Sequence, residues 1–542
     1  MKRKATVEFL PTRKKAAVPC GKTVYDASVK LGLPLSADCG GAGWCGKCKI
    51  KIIKGARNID SVEKKLLTES EKKNNIRLAC RHIVTKDTIV RIPREKGILP
   101  PIILEKAPEK PLLKKGKNFG LAFDVGTTSL AGYLVNLDDG SVLKAVSIAN
   151  SQRAFGADII SRISFASDSK RLKQLTNAVR KDVKDAIQKL LRGTGVKQEN
   201  IHAASFAGNT VMHHLFLGID PSGLGSAPYQ PAVKEGVEFY LRDLGIKPAK
   251  GAKGYFLPNI GGFVGSDALA SILASGIHKQ DEPSLIIDIG TNSENIVGNK
   301  KKILCGSNAA GPAFEGGSIV FGMRAEPGAV DRYDISKKGV RFHVIGDTSP
   351  RGICGSGIID AIASLLKMGI ITKKGNLLRK DAVTKGIPPF IKKRLITEKE
   401  GLAFQLTNRE ESYYKRPVTL FQKDIREIQL AKGAISAGIR LLLKEFGAGI
   451  SDLSHIYITG AFGNYINPKS GLDIGLFPDT ALKKIRFLEN GAGTGARLFL
   501  LSEKTRKEAE TLAKKVRHVE FFGRMDYPDV FIESLDFSKN RF

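Results

Sequence analysis

A chain of 542 residues with 42% hydrophobic content is too long for one core and too apolar for a disordered polymer, so two or three globular domains are expected. Seven cysteines are too few and too unevenly spaced for a disulfide scaffold, no run of ~18 apolar residues offers a membrane span, and MKRKATVEFL lacks a signal peptide's apolar core; a cytoplasmic protein without membrane contact is expected. The formal net charge of +33 is spread in short clusters with no zinc-finger or RNA-recognition signature, which argues against nucleic acid and for an acidic protein partner.

At the N-terminus, TVEFLP and KKAAVP flank a turn at Thr12–Arg13 and predict a hairpin, and TVYDASVKLGL predicts a helix with Val24, Ala27, Val29 and Leu31 on one face. The run ADCGGAGWCGKCKI then places Cys39, Cys45 and Cys48 on one loop, and Cys80 follows in RLACRH, with gaps of five, two and thirty-one residues. Four thiolates in this pattern suit a [2Fe-2S] cluster: three wrap it from a short loop and the fourth arrives from a distant strand. Gly40, Gly41, Gly43 and Gly46 let that loop curl and turn N–H groups toward the sulfurs. A zinc ribbon is the alternative, but it pairs two CxxC knuckles and this chain has one. Four cysteines close the site without a histidine, so His82 reads as a surface or supporting residue and not a Rieske ligand. KCKIKII predicts a half-buried strand, and RLACRHIV and DTIVRIP the closing strands. Residues 1–95 thus resemble a β-grasp [2Fe-2S] ferredoxin domain, with the adrenodoxin-like first gap. Cys20, Cys305 and Cys354 read as free buried thiols, with a redox role as one alternative.

Residues 96–118 form a linker. Prolines at 100, 101, 108 and 111 forbid continuous helix or sheet and predict an extended strap on which the ferredoxin domain can move.

The rest, 119–542, divides near residue 284 into two lobes, approximately 119–284 and 285–542. The first opens on FGLAFDVGTTSLAGYLVNL, a strand ending at Asp124 and a tight turn with Gly126, Thr127 and Thr128. The device recurs in SLIIDIGTNSENIVGN, with Asp288, Gly290, Thr291 and Asn292. Two such loops facing each other make a nucleotide site: glycine lets backbone N–H groups approach phosphates, while aspartates at strand ends hold Mg²⁺ through water. A third element, SHIYITGAFGNYIN, predicts a strand at Ile456–Thr459 followed by Gly460, Ala461 and Gly463, where small residues leave room for adenosine.

These three elements resemble phosphate-1, phosphate-2 and adenosine of the actin, sugar-kinase and heat-shock-chaperone (ASKHA) ATPases, two α/β lobes with ATP between them. The fold class expected is therefore α+β and α/β multidomain. The whole chain resembles the ATP-dependent reductive activators of corrinoid proteins, through QRAFGADIISRI (152–163), AGNTVMHHLFLG (207–218), PNIGGFVGSDALA (258–270), SNAAGPAFEGGSI (307–319) and GICGSGIIDAIASLL (352–366). It departs from the family's DIGTNGEI at Ser293 and Asn295, which puts the geometry of that loop in question.

The resemblance implies one-electron reduction of Co(II) cobalamin to Co(I) on a corrinoid protein of a methyltransferase system, with a [2Fe-2S] cluster, ATP and Mg²⁺ as cofactors and an upstream electron donor. A homodimer stays open. Plant-type clusters sit near −400 mV and Co(I) is a stronger reductant, so the electron runs uphill and ATP is needed. Thr127, Thr128, Thr291 and Asn292 would bind phosphates, and Asp124 and Asp288 would organise Mg²⁺. Asp267 and Asp158 are candidates for positioning water or for capping helices. Residues 307–317 would face the corrin or pack internally, and His213 and His214 read as core residues. For Cys20, Cys305 and Cys354 a corrinoid-contact role is the other alternative to free buried thiols. Two other readings remain: an ATP-driven donor to an enzyme such as a hydroxyacyl-CoA dehydratase, against which the separate ferredoxin domain argues, and a redox-sensing kinase, which would need a base at an acceptor hydroxyl.

Overall fold

The computed structural model describes residues 3–31, 33, 35, 41, 43, 46, 48–67, 69–92, 118–156, 158–383, 386–399, 401–460, 463–521 and 523–538. Cys39, Cys45, Ala461 and the linker through residue 117 lie outside the described residues.

The N-terminal domain is a five-stranded mixed sheet, ordered β2-β1-β5-β3-β4, built from β1 (Lys4–Leu10), β2 (Lys14–Pro19), β3 (Lys49–Lys54), β4 (Ile76–Leu78) and β5 (Thr88–Arg91). Alternation does the folding: Ala5, Val7 and Phe9 point inward from β1, and Ile50 and Ile52 from β3. Helix α1 (Val24–Lys30) starts at a capping box, Thr23 Oγ1 accepting from the Asp26 N–H at 3.1 Å while the Asp26 carboxylate accepts from the Thr23 N–H at 2.9 Å. Of its predicted face, Val24 and Ala27 are buried, joined by Tyr25 and Ser28. Short helices α2 (Ser61–Leu66) and α3 (Glu69–Lys73) follow β3. Of the closing strand predicted in RLACRHIV, Arg77 and Leu78 are in the ladder with β3 and Ile83 makes an isolated bridge to Thr23. After Leu78 the chain turns, the Arg81 and His82 N–H groups both donating to the Leu78 carbonyl, and this turn carries Cys80 out of the sheet.

The body repeats one topology. In the first lobe β6 (Phe119–Val125), β7 (Ser129–Asn136) and β8 (Val142–Ala149) form an antiparallel meander, with β9 (Ile201–Ala207) and β11 (Lys253–Phe256) parallel beyond β6 and β10 (Val237–Tyr240) at the edge. In the second lobe β12 (Ser284–Ile289), β13 (Ser293–Gly298) and β14 (Ile303–Asn308) make the same meander. Two small sheets are inserted next, β15 (Ala329–Ser336) with β16 (Gly339–Val344) and β17 (Gly352–Ile353), then β18 (Leu395–Glu398) with β19 (Gly401–Gln405) and β20 (Thr419–Phe421). Strands β21 (Ile456–Thr459) and β22 (Ile485–Phe487) then lie parallel beyond β12, and β23 (Arg517–His518) pairs with β14.

Helices α4 (Ile159–Phe165), α5 (Ser169–Leu191) and α6 (Thr210–Leu217) cover the outer side of the first sheet, and α8 (Gly355–Lys367) and α10 (Gln422–Phe446) that of the second; α9 (Pro389–Lys392) and α11 (Pro468–Asp473) are single turns or little more. Between the sheets run α7 (Ser266–Ser275), α12 (Gly491–Leu501) and α13 (Glu503–Lys515), and α14 (Tyr527–Glu533) closes the described chain against α10. Helix α12 follows the second lobe's strands in sequence but packs on β6 and β9 of the first, so it ties the lobes together. It can approach α7 closely because a Cβ on Gly495 would collide with the Ala270 backbone.

Strand alternation also sets where the aspartates go. Leu121, Phe123 and Val125 pack outward into the first lobe's core, and Leu285, Ile287 and Ile289 into the second's. The opposite face of each strand, starting from Ala122 and Ile286, turns toward the helices between the lobes, and Asp124 and Asp288 fall on that face by period two.

The ferredoxin domain touches the body. Tyr25 donates its hydroxyl to the Ala154 carbonyl at 2.8 Å, and Val29 packs against the first lobe's core cluster.

Candidate functional site

Cys48 ends the cluster loop just before β3, and Cys80 sits on the turn after β4. The Ala79 N–H donates to the Cys48 carbonyl at 2.8 Å, and this bond brings the two sulfurs to 3.2 Å, beyond disulfide length and within the reach of one cluster. Both cysteines are buried. Gly41, Gly43 and Gly46 all take positive φ, at 94°, 92° and 69°, the left-handed conformation that glycine adopts at little steric cost. A Cβ at Gly41 would also press on the Tyr25 ring at 2.6 Å. A thiol pair drawn from the glycine loop's end and from the turn after β4, beside three positive-φ glycines, fits a [2Fe-2S] cluster.

His82 is 1% exposed, so of the two roles expected from sequence, surface or supporting residue, the surface one does not hold. Burial, with Arg57 nearby, pushes its ring down to about 4, so it is a neutral core group.

The three strand-end loops of the body converge on one cavity of about 230 Å³. It is lined by Asp124, Gly126, Thr127, Thr128, Asp267, Asp288, Gly290, Thr291, Asn292 and Gly460, the predicted set apart from Gly463 and Ala461. Glycine is required here by closeness. A Cβ on Gly126 would lie 2.6 Å from the Ser129 carbonyl oxygen, and one on Gly460, at φ 97°, would lie 2.5 Å from both Asp288 Oδ1 and the Ile289 carbonyl oxygen. Gly463 begins a 3-10 turn beyond the cavity wall.

The first phosphate loop is braced by residues that the sequence reading did not assign. Asn209, the N-cap of α6, donates to Thr127 Oγ1 at 2.8 Å; Asn150 donates to the Gly126 carbonyl at 2.9 Å. Fully buried Arg162 donates to the Thr127 carbonyl at 2.7 Å, the Gly156 carbonyl at 2.9 Å and Gln152 Oε1 at 3.3 Å. The motifs QRAFGADIISRI and AGNTVMHHLFLG are therefore the scaffold of this loop. In the second loop Thr291 donates its hydroxyl to Glu315, so the 307–317 segment packs at the cleft with Phe314 and Glu315 in its wall. Ser293 donates to the Asp288 carbonyl at 2.8 Å, which shows how a side chain is accommodated where the family pattern has glycine; Asn295 is buried, its amide reaching the Ile435 carbonyl at 3.4 Å.

Besides Asp158 and Glu315 in its wall, the cleft holds Asp124, Asp267, Asp288 and Glu294. Glu294 stands opposite Asp288 in the β12–β13 register, and Asp267 lies in the first turn of α7. Burial, then the neighbouring Asp267 charge, raises Asp124 to about 7 against the pull of the Asn490 amide, which donates to its Oδ2 at 3.0 Å. Burial and the charges of Asp267 and Asp124 raise Asp288 to about 8, and Asp267 and Glu294 are raised by burial as well. Asn490 also accepts from the Gly493 N–H at 2.7 Å as the N-cap of α12, so the helix between the lobes begins on an aspartate of the cleft. Among the described residues no three His, Cys, Asp or Glu side chains converge closely enough to hold a metal directly.

Asp158 N-caps α4, accepting from the Ser161 N–H at 2.8 Å, and lies on the cleft wall. His213 and His214 are buried: His214 Nδ1 meets the Thr210 carbonyl at 2.8 Å, and His213 stacks edge-on with Phe256. Cys305 and Cys354 are buried thiols as expected, Cys354 in the cleft wall, whereas Cys20 is part-exposed.

A β-grasp ferredoxin-type domain with a buried thiol pair, joined to a two-lobed ATPase fold with a glycine-walled cleft, defines a class of protein with an iron–sulfur domain and a nucleotide-binding body. Residues 8–85 match the 2Fe-2S iron-sulfur cluster binding domain, 119–280 the RACo middle region, and 282–542 the C-terminal, ASKHA domain of RACo. The chain is 36% identical over 435 residues to the corrinoid activation enzyme RamQ of Eubacterium limosum, covering 80% of this chain and 71% of that one. It is 26% identical over 431 residues to the [Co(II) methylated amine-specific corrinoid protein] reductase of Methanosarcina barkeri, 73% of each. A solved structure, the reductive activator for corrinoid, iron-sulfur protein, superposes with a TM-score of 0.69 at 30% identity over 98% of both chains. The chain belongs to the RACo family of reductive activators. No helix among the described residues is long and apolar enough to cross a membrane.

Proposed function

We propose that this protein is the ATP-dependent reductive activator of a corrinoid protein in a methyltransferase system, returning its cobalt from Co(II) to Co(I) by one electron. The observation that carries the reading is the pairing of a cluster-type cysteine site with a two-loop nucleotide cleft in one chain. When bound, the [2Fe-2S] cluster supplies the one-electron donor and ATP the free energy for an uphill transfer. The chain's own residues do the rest. Cys39, Cys45, Cys48 and Cys80 hold the cluster, while Thr127, Thr128, Thr291 and Asn292 offer hydroxyl, amide and backbone donors to phosphates from opposite lobes. Asp124 and Asp288 hold Mg²⁺ through water, and Asp267 orients water beside them. Any change in lobe angle is felt by α12, whose N-cap Asn490 is bonded to Asp124. We place the protein in the cytoplasm, fed by a separate electron donor; whether two copies pair is left to a sedimentation measurement. Anaerobic spectroscopy tests the reading: with reductant and a Co(II) corrinoid protein, Co(I) should accumulate with ATP and not without it.

The raised carboxylates give the Mg²⁺ assignment a pH signature. A carboxyl group with a folded value near 7 or 8, against about 3.9 unfolded, contributes stability that is present below about pH 4 and lost as pH rises through the folded value. A bound cation reverses that loss, because it favours the ionised form. The gain in melting temperature from Mg²⁺–ATP over ATP with EDTA should therefore grow between pH 6 and pH 8. A gain that is flat or shrinks over that interval removes these aspartates from the metal site.

A further inference from the structure

The positive charge of this protein is concentrated where electrons enter. Residues 1–95 carry 22 Lys and Arg against 9 Asp and Glu, a net +13, whereas residues 119–542 carry 59 against 43, a net +16. That is one net charge per about 7 residues in the ferredoxin domain and one per about 27 in the body. Part of the excess forms a rim beside the described cluster-loop glycines. A Cβ on Gly43 would meet Arg81 Cδ at 3.1 Å, and one on Gly46 would meet Leu66 of α2 at 3.4 Å. Exposed Lys64 and Lys65 lie on that same helix. Arg57 donates to the Arg81 carbonyl, and both guanidinium groups share Asp60, Arg81 at 2.8 Å and Arg57 at 3.7 Å.

Of the acidic side chains in this stretch, Glu63 is fully buried and accepts from the Leu78 N–H at 2.9 Å, and its charge acts on Arg81 beside that of Asp60. Four cations against Asp60 and Glu63 leave the rim at about +2, and pairing with Asp60 fixes two guanidinium groups in place. At Gly41 the neighbour is instead Tyr25, whose hydroxyl is turned to Ala154 of the body. An approaching redox protein finds the cluster loop through Arg57, Arg81, Lys64 and Lys65.

We propose that this rim is the docking surface for the electron donor, and that the donor is a small acidic redox protein of the flavodoxin or ferredoxin kind. The proposal rests on the cluster assignment and extends it to a partner. Opposite charge around a redox centre raises the encounter rate and orients the short-lived complex, and rim charges act on association far more than on dissociation.

The test is anaerobic stopped-flow reduction of the cluster-loaded full chain by a reduced acidic flavodoxin. K64E/K65E should lower the second-order rate at least tenfold at about 0.05 M salt and differ little from wild type at about 0.5 M, where screening removes the attraction. K514E/K515E makes the same change in net charge at the end of α13 in the body, and should lower it less than twofold. Reduction by methyl viologen radical at about 0.5 M salt, where screening removes the effect of the radical's own positive charge, should be equal in all three proteins, which reports an intact cluster independently of docking; no reduction at all in wild type indicts the cluster assignment instead. Should K64E/K65E lose its cluster, the wild-type salt dependence and the single variant K65Q carry the test, with at least a twofold loss expected of K65Q at low salt. A wild-type rate flat in salt overturns the proposal. So do equal losses in the two double variants, or a K64E/K65E protein that accepts electrons from flavodoxin normally and is slowed only in passing them to the corrinoid protein.

Discussion

Replacing Cys48 by alanine is expected to abolish electron transfer, by at least ~100-fold, and to leave ATP affinity within about twofold of wild type. Cys48 is buried beside Cys80 with sulfurs 3.2 Å apart, and its thiolate has no substitute nearby among the described residues. The fold around it does not depend on sulfur: β3 is anchored by Ile50 and Ile52, and the Ala79 N–H to Cys48 carbonyl bond is backbone. Removing a small apolar group from such a site costs on the order of 1 kcal/mol. Low-temperature EPR after reduction and nucleotide calorimetry decide the matter. A retained signal would show that Cys48 is not a ligand, and a lost ATP affinity would show that the domains depend on each other more than one Tyr25 hydrogen bond and a Val29 contact suggest.

Asp288→Asn is expected to cut ATPase activity ~100-fold or more, leave the cluster spectrum unchanged, and raise the melting temperature of the nucleotide-free protein. The last outcome follows from the crowding of Asp288 with Glu294, Asp267 and Asp124 in a desolvated cleft, where each carboxylate raises its neighbours. Burial and those neighbours hold Asp288 protonated to about pH 8, a cost relative to the unfolded chain that an asparagine does not carry, so stability at neutral pH rises as function falls. Asp124→Ala should lose as much activity but gain less stability, because it also strands the Asn490 amide. Full turnover in either variant, measured as phosphate release, would mean that the cleft is assigned wrongly. Lower stability in Asp288→Asn would mean that the carboxylate is satisfied in a way the geometry does not show.

Much of this site is legible in sequence because its parts are local. The cysteine loop carries its own glycines, and the D-x-G-T loops repeat with the strands that hold them; one meander duplicated in two lobes is what put Asp124 and Asp288 on facing sides. Asn209, Arg162, Asn490, Glu294 and Glu315 were missed for the opposite reason, since each reaches the site from a distant part of the chain or across a sheet register. Asn490 had a signal in NGAGTGARLF, whose glycines let α12 lie against α7 and Tyr133, but a glycine-rich helix start does not say which aspartate its cap will meet. For His82 the sequence leaves surface and supporting roles open, because four cysteines close the site without it, and the turn at Leu78 decides between them by folding it inward. The strap was expected to free the ferredoxin domain. It lies outside the described residues, while the Tyr25–Ala154 bond sets that domain beside the 151–154 turn, next to the Gln152–Arg162 brace of the first phosphate loop.

The central claim is that nucleotide in the cleft of the body governs an electron held in the ferredoxin domain. It is tested most directly in one turnover: the protein is reduced, freed of reductant and mixed anaerobically with one equivalent of Co(II) corrinoid protein, with and without Mg²⁺–ATP. Cluster and cobalt are followed together by optical and EPR spectroscopy. The account predicts that with ATP one Co(I) appears for each cluster oxidised, while without ATP both centres stay as they were mixed. Equal Co(I) formation in the two mixtures, or ATP hydrolysis with no cluster oxidation, would contradict it.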